Sequence, residues 1–197
     1  MKSVREFAEA YYERFRAVLE AFDKAPLEGV AAVMKQVAAA GGTLWVAGNG
    51  GSAAISDHTV CDATKLPYQE GQPVLRSVSL ASNGPMLTAL GNDFSYPEVF
   101  SRQLMYYLKD GDALLVVSSS GNSPNVVQAC EYARGRGVPT IAFVGFAGGR
   151  LAELADHVVH VPIDNYGMAE DAHQSVMHVL TQYLTAWNRE NAGGAEP

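Results

Sequence analysis

The sequence predicts an α/β fold: a doubly wound sandwich with a five-stranded parallel sheet, preceded by an N-terminal helical extension. Three observations predict it. Short apolar runs alternate with helix-like stretches from about residue 43 onward. Those runs are apolar almost throughout rather than at every second position, as strands covered on both faces are. The first 40 residues instead repeat apolar positions at helical spacing. Right-handed crossovers then place helices on both sides of one sheet.

The elements follow in order. Residues 3–22 carry Phe7, Ala10, Tyr11, Phe15, Val18 and Leu19 at three- and four-residue steps, one face of a helix. A second helix is expected over 27–40, stopped by Gly41-Gly42. "TLWVAG" (43–48) reads as a buried strand, and 52–64 as the helix after it. "PVLRSVSL" (73–80) is the second strand, "GPMLTAL" (84–90) opens a short helix, and 94–108 is helical after Pro97. "DALLVVSSS" (112–120) is the third strand, with 122–137 as its helix. "PTIAFVGF" (139–146) and "HVVHVPI" (157–163) are the fourth and fifth strands, separated by the short helical piece "LAELA". A last helix runs over 169–188. The division is residues 1–40 as helices used in oligomer packing, 41–190 as the α/β domain, and 191–197, "NAGGAEP", as a flexible tail.

Composition narrows the function classes. Apolar residues make up 48%, enough for a buried core, and the 18% of charged residues is too low for a disordered chain. No apolar run approaches the roughly 20 residues that span a bilayer, and the N-terminus has no signal-peptide core. No membrane partner is therefore expected. Two cysteines, Cys61 and Cys130, are too few for a disulfide framework and point to a reducing, cytoplasmic compartment. The net charge of −7, with no Lys/Arg cluster, argues against nucleic acid as the ligand. A phosphate ligand would have to be held by local backbone and hydroxyl donors.

Two strand-to-helix loops are candidates for that task. "GNGGSAA", Gly48 to Ala54, lets the backbone approach a ligand beside the unpaired N–H groups of a helix start. It lacks the third glycine of a dinucleotide fingerprint and the Gly-Lys-Ser/Thr of a P-loop. "SSSGNSPNVV" offers the hydroxyls of Ser118, Ser119, Ser120 and Ser123, with Gly121 for a tight turn and Pro124 suited to the first helical turn. Glycine turns and serine caps start many helices that bind nothing. Four serines within six residues exceed what one cap requires.

Histidines and acids form a further pattern. His58 and Asp62 lie four residues apart and share a helix face. In "AEDAHQSVMH", Asp171 and His178 are nearly aligned, Glu170 and His178 lie roughly 80° apart, and His173 points elsewhere. Such a set can bind a divalent metal, act as an acid–base pair, or be solvated polar positions on half-exposed helices. Cys61 is expected as a small buried residue rather than a ligand.

Together, "GNGGSAA", the "DH" before "TVCD", "GNDFSYPEVFSRQL", "GDALLVVSSSGNSPNVV" and "EDAHQSVMH" resemble the sugar isomerase (SIS) domain family, and within it the phosphoheptose isomerases. The resemblance runs from the N-terminal helices to about Trp187. It implies a homotetramer with active sites between subunits, one zinc per subunit, and a phosphorylated seven-carbon sugar as substrate. The implied activity is conversion of sedoheptulose 7-phosphate to D-glycero-D-manno-heptose 7-phosphate through an enediol or enediolate. Carried over position by position, substrate binding falls to Asn49, Gly50, Gly51, Ser52, Asn92, Asp93, Ser118, Ser119, Ser120, Ser123 and Glu170. The metal falls to His58, Asp62, Glu170 and His178, and catalysis to Asp62 and His178. Two positions depart from the family pattern, which commonly has Glu at Asp62 and Gln at Glu170. Two other readings share the fold: a non-catalytic SIS module like the DnaA-binding factor, and an isomerase of another phosphosugar, such as an arabinose 5-phosphate or hexulose 6-phosphate. Retention of both His58 and His178 beside acids favours an enzyme over a binding module.

Overall fold

The computed structural model describes residues 3–192. Helix α1 (Val4–Ala21) starts at a capping box: Ser3 Oγ accepts from the Glu6 N–H, and the Glu6 carboxylate accepts from the Ser3 N–H at 2.7 Å. Helix α2 (Pro26–Ala40) has proline in its first turn and ends at Gly41, whose φ of +65° closes the helix in the left-handed region. Then come β1 (Thr43–Gly48), α3 (Gly51–Lys65), β2 (Arg76–Ser79) and α4 (Gly84–Asp93). A single 3₁₀ turn, Tyr96–Glu98, leads into α5 (Val99–Tyr107). The second half is β3 (Ala113–Ser118), α6 (Pro124–Gly135), β4 (Thr140–Val144), α7 (Gly149–Leu154), β5 (His157–His160) and α8 (Tyr166–Asn191).

The five strands form one sheet in the order β2-β1-β3-β4-β5, every pair parallel. Successive residues of β1 feed opposite faces. Leu44 and Val46 join a core with α2, α3 and α8, while Trp45 and Ala47 join one with α4, α5, α6 and α7. Partly buried Tyr11, Phe15, Val18 and Leu19 lay α1 over the first of these cores, as their spacing predicts.

Several boundaries moved: the third strand ends at Ser118, the fifth at His160, the helix expected from 94 starts at Val99, and two further shifts have a plain physical reason. The second strand is four residues, not eight, because it is an edge strand paired only with β1, and β1 begins at Thr43 opposite Arg76. Residues 73–75 have no strand to pair with. The last helix starts at Tyr166, three residues early, because Asn165 caps it by accepting from the Met168 N–H at 3.0 Å. The tail expected over 191–197 is described only at Asn191, the last helical residue, and Ala192; residues 193–197 lie outside the described residues. Among the described residues no helix is long and apolar enough to cross a membrane.

Candidate active site

The strand order reverses at β1. The chain passes from β1 to β2 on one side, while β3, β4 and β5 build on the other. Ligands of open α/β sheets bind at the carboxyl ends of strands flanking such a switch. Here those ends carry the glycine loop and the serine loop.

The glycine loop is shaped by two different requirements. Gly50 has φ +54°, a conformation that favours glycine. Gly51 is needed for space, since a Cβ there would collide with the Glu170 carboxylate. In the serine loop, Gly121 (φ +67°) presses against Gly148, leaving no room for a side chain. Two of the four hydroxyls are occupied within the loop. Ser118 Oγ accepts from the Gly121 N–H at 3.2 Å, and Ser120 Oγ accepts from the Asn122 N–H at 3.3 Å. The other two are not. Ser123 stands at the N-cap of α6 without a side-chain cap bond, and Ser119 Oγ is buried with no partner. A buried hydroxyl without a partner is costly unless a ligand completes it.

A cleft of about 140 Å³ joins the two loops. Asn49 and Ser52 line it on one side, the four serines on the other, and Tyr166 and Glu170 from the first turns of α8. No lysine or arginine is among the lining residues. The start of α3 and the serine hydroxyls supply the donors instead, so an anion here would be held by neutral groups. Burial, and then the Asp171 charge beside it, hold the Glu170 carboxyl above its ordinary range.

Farther along α3 and α8 lies the second cluster. His58 Nε2 is 3.3 Å from Asp62 Oδ2, and His178 Nε2 is 3.6 Å from the same oxygen. The two imidazoles meet edge to face at 5.1 Å. One donor atom from each of the three residues lies within 4.8 Å of the others. Two imidazole nitrogens and a carboxylate oxygen are a donor set that suits zinc with a position left open. The chemistry of the residues therefore fits the metal.

The structure thus brings together His58, Asp62 and His178 of the four expected metal residues. Glu170 is not in that group; it lies over Gly51 in the cleft. Asn92 and Asp93 are exposed at the end of α4, bonded to each other at 3.0 Å, and do not line the cleft. Asp171 turns away to accept from Tyr11 Oη at 2.9 Å. Cys61 is exposed rather than buried, because it follows His58 on a side of α3 that the core does not cover.

Three residues were missed in the sequence. Gln174 Nε2 sits 3.0 Å from His58 Nδ1 and 3.2 Å from His178 Nε2, between the two rings. Its position midway between Glu170 and His178, four residues from each, was the available signal. Asn125 and Tyr96 both bond Asn49, and only the fold brings those segments together.

Comparison with known proteins places this geometry. The SIS domain family matches residues 10–145. A phosphoheptose isomerase of Akkermansia muciniphila is 38% identical, over 85% of this chain and 87% of its own length. One from Maridesulfovibrio salexigens is 32% identical over the whole of this chain and 95% of its own. The solved structure of phosphoheptose isomerase GmhA from Neisseria gonorrhoeae superposes with a TM-score of 0.86 at 28% identity, covering 93% of this chain and all of that one. The chain belongs to the SIS domain family, in its phosphoheptose isomerase branch.

Proposed function

We propose that this protein is an aldose–ketose isomerase that converts D-sedoheptulose 7-phosphate to D-glycero-D-manno-heptose 7-phosphate. The observation that carries the reading is the pairing of two features on α3 and α8. A cleft of neutral donors with the unpartnered Ser119 hydroxyl lies at their amino ends, and a His–Asp–His cluster lies farther along both. Glu170 and His178 are eight residues apart, about 12 Å of helix. An open-chain phosphosugar can bridge such a gap, phosphate in the cleft and carbonyl end at the cluster.

The reaction needs a base at carbon and an acid at oxygen. Loss of a proton from C1 with protonation of O2 gives the enediol; protonation of C2 with loss of the O1 proton gives the aldose. Asp62 and His178 share these transfers, one held against the other through the contact at Oδ2. A zinc ion, held by His58, Asp62 and His178, would supply Lewis-acid polarisation of the carbonyl oxygen. Gln174 holds the two imidazoles at a fixed mutual angle. Glu170 acts at the sugar from the cleft, while Asn92 and Asp93 reach substrate only with help from a neighbouring segment or subunit.

We also assign the helices of residues 1–40 to subunit packing in a homotetramer. The support is the amino-terminal part of α1, where Val4, Phe7 and Tyr12 are 87%, 67% and 67% exposed, Val4 and Phe7 continuing the stripe that packs on the core at Tyr11 and Phe15. The two cysteines form no disulfide, in keeping with a cytoplasmic location.

The test is an assay for aldoheptose 7-phosphate formed from sedoheptulose 7-phosphate, on metal-stripped protein with and without zinc. Turnover restored by zinc supports both the activity and the metal. Folded protein that binds the sugar phosphate without turnover would move the reading to a binding module.

A further inference from the structure

We infer that Asn125 and Tyr96 are positioning residues that fix Asn49 as a hydrogen-bond donor toward the sugar phosphate; the inference rests on the isomerase reading above. Asn125 lies in the first turn of α6 and is 2% exposed. Its Oδ1 accepts from the Val126 N–H at 3.0 Å, which settles which end of its amide is oxygen. Its Nδ2 therefore faces the other way and donates to Asn49 Oδ1 at 2.8 Å. Asn49 Nδ2 returns the bond to Asn125 Oδ1, also at 2.8 Å. Tyr96 Oη donates to Asn49 Oδ1 at 3.0 Å.

A carboxamide has two acceptor sites on oxygen and two hydrogens on nitrogen. Both oxygen sites of Asn49 are filled, and one of its hydrogens is used. What Asn49 has left to offer the cleft is a single N–H. Turning its amide over would set NH₂ against NH₂ at Asn125 and forfeit the acceptor that Tyr96 needs. Asn49 therefore meets an acceptor, a phosphoryl or sugar oxygen, and cannot itself accept from a sugar hydroxyl. The polarity is imposed by residues outside the cleft lining: one from the helix after the serine loop, one from the 3₁₀ turn before α5. The same bonds tie the glycine loop to both segments.

A double-mutant cycle with sedoheptulose 7-phosphate tests this. Tyr96→Phe and Asn125→Ala should each raise KM about three- to tenfold, the loss of an ordinary hydrogen bond, with kcat less affected. In an Asn49→Ala background neither should add a further penalty. Asn49→Asp, which cannot donate, should bind worse than Asn49→Ala. Tyr96 is 61% exposed, so Tyr96→Phe keeps the test alive where Asn125→Ala lowers the melting temperature. Penalties that multiply in the Asn49→Ala background, or an unchanged KM in both single variants, would overturn the inference. A parent protein without turnover counts against the isomerase reading alone, and the same cycle read from calorimetric Kd for this sugar phosphate then decides the role of Asn49.

Discussion

His173 and His178 stand five residues apart on one helix, and almost nothing else about them is alike. His173 is fully buried against the sheet, beside Phe143, and neither ring nitrogen has a hydrogen-bond partner. Burial pushes its pKa down to about 4; the Val144 backbone, near the ring but outside hydrogen-bond geometry, offsets only part of that effect, and His160 adds to it. His178 is part-exposed, faces Asp62 and Gln174, and sits among hydrogen-bonding partners. A shift of five residues turns a helix by roughly 140°, enough to exchange the core for the site. The lesson is that α8 is two surfaces. One side is selected for volume and neutrality, the other for proton and metal chemistry, and residue type alone does not say which.

The comparison breaks most sharply at His178. His178→Ala should cut turnover by about 10³-fold while leaving sugar-phosphate binding intact, because it removes a proton-transfer group and leaves the cleft untouched. Steady-state kinetics with calorimetry checks both halves; retained turnover would remove His178 from its role. The opposite side of the helix gives the second test. His173 is depressed in the folded protein from an ordinary 6.5 to about 4. As pH falls through 6.5 the unfolded chain takes a proton that the folded chain refuses. Stability is therefore lost between pH 6.5 and 4, by about 3 kcal/mol for a group of this burial, and the loss levels off below 4. His173→Leu should flatten that dependence in urea titrations at pH 7 and pH 4.5, with catalysis at pH 7 preserved.

Smaller effects sharpen the contrast within the site. Gln174→Ala should raise zinc affinity about fivefold, because the Gln174 amide occupies His178 Nε2, the nitrogen that faces Asp62, and must be displaced by the metal. Competition against a chromophoric chelator reads this without any assay of turnover. Glu170→Gln should have the smallest effect, a few-fold lower KM at high pH. The parent carboxyl ionises as pH rises through its raised pKa, and the new charge repels the phosphate. KM of the parent should climb with pH, and that of the variant should stay flat.

The sheet and both loops were legible because their signals are local. A run such as "ALLVVS" has one sensible environment, and a glycine turn between strand and helix announces a strand end. His58 and Asp62 were legible as a pair for the same reason, since four residues on a helix fix a shared face. What distance along the chain separates was not. Gln174 acquires meaning only when α3 lies beside α8, and Asn125 and Tyr96 only when the switch in strand order brings α6 and the 3₁₀ turn to the glycine loop. Glu170 was placed with the metal by resemblance, and the packing of its carboxyl over Gly51 puts it in the cleft. The short second strand was misjudged because β-propensity cannot show where a neighbouring strand begins.

The register of β1 against β3 has a consequence for how such a protein can change. Gly48 sits opposite Val117, so both loops leave the sheet at the same height. One residue inserted in either strand would raise its loop by about 3.3 Å and turn the side chains beyond the insertion to the other face. Mutation can change side chains of the two loops outside the fixed glycines Gly50, Gly51 and Gly121, yet the spelling of the strands beneath them works as a fixed ruler. Substrate range in this molecule can therefore drift by substitution far more readily than by insertion.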